Sequence, residues 1–307
     1  MNKVLAFFKG ALLALGSMAL LFLILTAITL WFFASTFKNY SNKTVNIRKT
    51  TYYALIKIEN PILSSDTWLT YLQEAYTDKN CLGVLLRINS PGGAVASSQE
   101  IYEMVKKINK TKPVITSFGD LAASGGYYAA LGSKKIFANP GTLTGSIGVI
   151  MQFPRIHEIM NKWGLAMETV RSGNLKDAGT PFRAMTEEEK LYFQNLIDDA
   201  YAQFKEAVQT HRKLNAEEIM RVAQGQVFSG KQARAAGLVD TLGTLTDAKD
   251  YLIKTLKAES DLDVIEFPPK KNWFEQAMEA RGQAWWKTKI FENYTRAGAY
   301  YLLPGID

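Results

Sequence analysis

Ser124 stands in Leu121-Ala122-Ala123-Ser124-Gly125-Gly126-Tyr127-Tyr128. The run before it, residues 113–118, is short, apolar and β-branched, and predicts a buried strand. Gly125 and Gly126 permit a sharp turn and a close backbone approach. A hydroxyl at the start of a helix lies near unpaired N–H groups and the positive end of the helix dipole, a suitable place to develop an oxyanion. The plainer role of a serine here is to cap the helix. A nucleophilic serine also needs a base, and the chain has two histidines. His157 falls in an amphipathic helical stretch, residues 155–160. His211 ends a long charged helix, where a cation is an ordinary solvated feature. A Ser-His-Asp triad stays open but is poorly supplied.

The other base known for a serine is a lysine kept neutral by a dry pocket. Lys176 is the candidate, in Ser172-Gly173-Asn174-Leu175-Lys176-Asp177, after a strand-like run at 166–170. A loop lysine is ordinarily solvated and inert. A third element is Asn89-Ser90-Pro91-Gly92-Gly93, between the apolar run 82–88, typical of a parallel strand, and a helix expected over 96–109. It is a plain tight turn, or it points the N–H of Gly92 or Gly93 at a substrate carbonyl. In the second case the N–H of Gly125 completes an oxyanion hole. No Gly-Lys-Ser/Thr follows, so it is not a phosphate loop.

Together with Asn139-Pro140-Gly141-Thr142-Leu143-Thr144-Gly145-Ser146-Ile147-Gly148, these segments resemble the signal peptide peptidase A family, from about residue 51 to 253. Ser124 and Lys176 are 52 positions apart, a family-like spacing, and a single motif set with no internal repeat resembles the short form. The resemblance implies a Ser-Lys dyad, with Ser124 as nucleophile and Lys176 as general base. It also implies that Ser146 orients the lysine amine, and that Gly93 and Gly125 hold the oxyanion. The implied fold is α/β and Clp-protease/crotonase-like, built of repeated strand-turn-helix units. The implied assembly is a ring-like homo-oligomer.

Residues 11–37 carry no charge and are long enough to span a bilayer. A cleavable signal peptide would have a shorter apolar core and a small-residue cleavage site, whereas residues 31–37 form an aromatic belt. The expectation is one transmembrane anchor after a short tail, residues 1–10, with the lipid bilayer as partner. Lys38, Lys43, Arg48 and Lys49 outnumber Lys3 and Lys9, which by charge bias would hold the following domain in the cytoplasm. The resemblance implies the opposite: a single-pass protein of the bacterial cytoplasmic (inner) membrane with its catalytic domain on the extracytoplasmic side. A mean hydropathy of −0.08 argues against several spans. The single cysteine, Cys81, excludes an intrachain disulfide and is expected at the start of a buried strand.

After a juxtamembrane linker, 38–50, a protease domain is expected over 51–267. It includes a long helix opened by a capping box at Thr186, a helix capped by Asn215, and a helix over 231–236. Residues 268–307 read as a linker and an aromatic-rich helical extension, packed on protein or on a membrane interface. The net charge of +7 comes from scattered residues, so no nucleic-acid partner is expected. No metal-ligand spacing appears, and no cofactor is expected. The expected activity is a membrane-anchored serine endopeptidase acting on apolar peptides such as cleaved signal peptides. A crotonase-like acyl-CoA enzyme and a catalytically silent membrane scaffold are the alternatives.

Overall fold

The computed structural model describes residues 16–17, 20–31, 50–258, 262–269 and 300–301. The chain divides into two units, Met1–Lys49 and Thr50–Asp307. In the first, residues 20–31 are helical, with Leu21, Phe22 and Trp31 exposed. Among the described residues no helix is long and apolar enough to cross a membrane. The structure therefore corrects the expected transmembrane anchor over 11–37, and with it the expected place in the cytoplasmic (inner) membrane. Of that apolar run, residues 11–15, 18–19 and 32–37 lie outside the described residues.

The second unit opens with β1 (Tyr52–Glu59), α1 (Asp66–Thr77) and β2 (Cys81–Ser90), followed by β3 (Gly93–Ala94), α2 (Val95–Asn109) and β4 (Val114–Ala123). Next come α3 (Gly125–Ala130), β5 (Lys135–Ala138), β6 (Leu143–Gly145), α4 (His157–Lys162) and α5 (Glu187–Arg212). The unit continues with α6 (Ala216–Val222), β7 (Val227–Ser229), α7 (Gly230–Ala235), β8 (Thr241–Leu242), α8 (Leu245–Leu256), β9 (Asp263–Phe267) and β10 (Tyr300–Tyr301). The main sheet runs β7-β6-β4-β2-β1-β9, with β5 pairing β4 and β8. Its pairs are parallel except β6 with β7.

Protein covers both faces of this sheet, which is why its central strands read as continuous apolar runs. Successive β1 residues alternate between two cores. Ala54, Ile56 and Ile58 join a large cluster with Leu72, Ile101 and Phe204 from three helices. Tyr53 and Leu55 join Ile115 and Leu252 beneath α8. Cys81 is buried where β2 begins.

The helix starts follow their sequence signals. At α5 the Glu189 backbone N–H donates to Thr186 Oγ1 (3.2 Å) and the Thr186 N–H donates to a Glu189 carboxylate oxygen (2.8 Å). Asn215 caps α6 in the same way. The strand expected at 166–170 does not form: the run has no partner strand, and Met167 and Val170 are exposed. Of the expected C-terminal extension, residues 270–299 and 302–307 lie outside the described residues, while β10 pairs antiparallel with β3.

Candidate active site

β2 and β4 are parallel neighbours, and Ser90 pairs in register with Ala122. The Asn89–Gly93 turn and Ser124 thus leave adjacent strands at one carboxyl edge, where α/β sheets characteristically bind ligands. Two glycines bring the backbones together. A Cβ on Gly126 would lie 2.9 Å from the Ser90 carbonyl oxygen, and one on Gly93 would lie 2.0 Å from that of Ile62. The Ile62 segment is tied to the turn by its N–H donating to Gly92 O (2.8 Å) and its carbonyl accepting from Ala94 N–H (2.7 Å). Gly93→Ala must therefore break this ladder. The expected result is a loss of at least about 2 kcal/mol in denaturant unfolding, together with loss of peptide cleavage.

Ser124 itself has φ 51° and ψ −119°, a conformation that costs a non-glycine residue of order 1–3 kcal/mol. Its backbone is held on both sides: its N–H donates to Gly145 O (2.8 Å) and its carbonyl accepts from Tyr128 N–H (2.9 Å). Its side chain is fully buried, and Oγ has no hydrogen-bond partner among the described residues. An unsatisfied buried hydroxyl costs roughly 1–3 kcal/mol, and native structures retain few. Backbone strain and an orphaned oxygen thus coincide on the residue that the sequence singles out. Gly125 follows in the first turn of α3, where N–H groups lack intrahelical acceptors. Tyr127 anchors this helix by donating from its hydroxyl to Leu238 O (2.8 Å), and burial pushes its pKa well above the ordinary tyrosine value.

Ser146 is adjacent. β6 pairs with β4 through Gly145 and Ala123, and Ser146 follows at φ 49°, buried, with its N–H donating to Gln226 O (2.9 Å). The structure thus gathers Ser124, Gly125, Ser146 and the Gly93 turn around the end of β4. It does not bring Lys176 to them. Lys176 lies exposed on a series of turns at 172–179, and no hydrogen bond joins it to Ser124 Oγ. The histidines do not replace it. His157 opens α4 with a buried Nδ1 that has no hydrogen-bond partner among the described residues. His211 shares a 2.7 Å hydrogen bond with the Tyr102 hydroxyl, and burial lowers its pKa. It is packed against Tyr102 rather than solvated as the sequence suggests.

Two features carry no sequence signal. One is the pairing of β10 with β3, which sets Tyr301 opposite Gly93. The other is an ion-pair chain beside Lys176. Arg171 bonds Asp177, and Arg183 bonds both Asp177 and Glu189. Hydrogen bonds from Arg183 and then Arg171 hold the Asp177 carboxyl down at about 2, and Arg183 lowers Glu189 similarly.

Residues 106–259, half of the chain and including Ser124, Ser146 and Lys176, match peptidase family S49. The chain belongs to that family. Residues 56–143 also match the Clp protease family, so the strand-turn-helix units through β5 have a Clp-protease-like α/β fold. A Synechocystis protein provisionally named a protease is 41% identical over 194 residues, 62% of this chain and 70% of that one. An Enterococcus faecium protein provisionally named a signal peptide peptidase is 38% identical, over 72% of this chain and 64% of that one. A ClpP1 variant from Listeria monocytogenes is similar at a TM-score of 0.45 with 18% identity, over 63% of this chain and 93% of that one. The S49 chain is a serine peptidase, which removes the acyl-CoA alternative.

Proposed function

We propose that this S49 peptidase cleaves extended, apolar peptides such as released signal peptides, with Ser124 as nucleophile and Lys176 as general base. The observation that carries this reading is the buried, unpartnered Ser124 Oγ on a strained strand-to-helix turn. Lys176 takes the hydroxyl proton as Oγ attacks the scissile carbonyl. The N–H groups of Gly93 and Gly125 receive the oxyanion, and Ser146 orients the lysine amine. Lysine then returns the proton to the leaving amine, and water hydrolyses the acyl-serine. Substrate main chain pairs with a strand edge near Asn89 to Gly93, as extended peptides commonly do.

The base is supplied by assembly. Lys176 is exposed, and Ser124 Oγ has no hydrogen-bond partner among the described residues of the single chain. In the chain on either side of Lys176, Trp163 (76% exposed), Val170 (102%) and Leu191 (63%) are exposed apolar side chains of the kind that a neighbouring copy in a ring would cover. Co-expression of Ser124→Ala with Lys176→Ala tests this. Each variant is inactive alone, and mixed assemblies are expected to regain up to about a quarter of parent peptidase activity, because some sites receive both intact residues. Mixed assemblies with no recovery would show that serine and lysine meet within one chain.

A further inference from the structure

We propose that Asp177 and Arg183 are positioning residues for Lys176, tying the turn that carries the base to the first turn of α5. The proposal rests on the reading of Lys176 as general base and concerns what holds that base in place.

Residues 172–176 are all exposed, so no burial fixes the lysine's backbone. Its local hydrogen bonds are turn bonds only: Lys176 N–H to Gly173 O (3.1 Å), Ala178 N–H to Leu175 O (3.2 Å) and Thr180 N–H to Asp177 O (3.1 Å). A catalytic group nevertheless needs placement to about 0.5 Å. The next residue along supplies it. The Asp177 carboxylate accepts from Arg171, which closes the turn across its base, and from Arg183 Nε (3.2 Å). Arg183 also donates to both carboxylate oxygens of Glu189, through Nη1 at 2.8 Å and through Nη2. Its planar fork suits such two-point contact, and lysine's point charge does not.

Glu189 is a rigid post. Its side chain is 2% exposed, it closes the α5 capping box with Thr186, and α5 is seated in the core through Phe204 and Val208. A carboxylate buried to this degree must be paired, so Arg183 cannot leave it cheaply. A second contact reinforces the same turn. Gly179, at φ +77°, lies so close to the Phe153 ring that a Cβ would come within 2.6 Å, and Phe153 stacks on Phe193 of α5 at 4.4 Å.

The test compares kcat and KM on a fluorogenic peptide for Asp177→Asn, Asp177→Glu, Arg183→Gln and Lys176→Ala. It also compares the labelling rate by a fluorophosphonate with and without Lys176→Ala. Asp177→Asn and Arg183→Gln are expected to lower kcat about 10–100-fold with KM changed less than about threefold, because a displaced base slows chemistry rather than binding. Asp177→Glu restores most of the rate. In the Lys176→Ala background Asp177→Asn lowers residual labelling no further, because its effect passes through the lysine. Should Asp177→Asn fail to fold, Arg183→Lys carries the same expectation. An inactive Lys176→Ala beside a fully active Asp177→Asn overturns the positioning role alone, as does an Asp177→Asn loss that persists without the lysine. A fully active Lys176→Ala overturns the base assignment and the proposal with it.

Discussion

Ser124→Ala is expected to leave a folded protein whose peptide cleavage falls by roughly 10⁴–10⁶-fold, the scale seen when a serine nucleophile is removed. Oγ makes no hydrogen bond among the described residues, so its removal breaks none there and relieves a buried, unsatisfied hydroxyl. The backbone is held by Gly145 O and Tyr128 N–H rather than by the side chain. Denaturant unfolding should therefore show unchanged stability, or a gain of up to about 1–2 kcal/mol. A variant that is both inactive and clearly less stable would mean that the hydroxyl is structural.

Lys176→Arg is expected to be as inactive as Lys176→Ala, each at least about 10³-fold below the parent in kcat, with KM little changed. Arginine preserves charge and length but keeps its proton at any accessible pH, so it cannot accept one from Ser124. Because Lys176 is exposed and its side chain makes no hydrogen bond to Ser124, both variants should fold normally. Steady-state kinetics on a short apolar peptide separates the outcomes. A Lys176→Arg rate near that of the parent would identify the residue as an electrostatic contact and send the search for the base elsewhere.

Elements whose cause is local were legible in the sequence. β2 and β4 read as strands because both their faces are buried, and α5 and α6 because Thr186 and Asn215 announce their caps. The glycines at 92–93 and 125–126 mark where backbones approach closely. Three things were not legible. The run at 166–170 has strand-like alternation but no neighbour to pair with, and pairing is decided by tertiary context. The apolar N-terminal stretch satisfies a length rule, yet among the described residues no helix is long and apolar enough to cross a membrane. The Arg171–Asp177–Arg183–Glu189 chain is spaced six residues at each step, a spacing that no regular element would generate and no motif records.

Covalent capture identifies the residue that carries the reacting oxygen. The full-length protein is incubated with a fluorophosphonate, digested, and the adduct is located by mass spectrometry. One phosphonyl group is expected on Ser124 within the peptide spanning residues 121–128, with labelling abolished in Ser124→Ala and strongly slowed in Lys176→Ala. An adduct on any other residue, or equal labelling of the Ser124→Ala variant, would show that Ser124 is not the nucleophile.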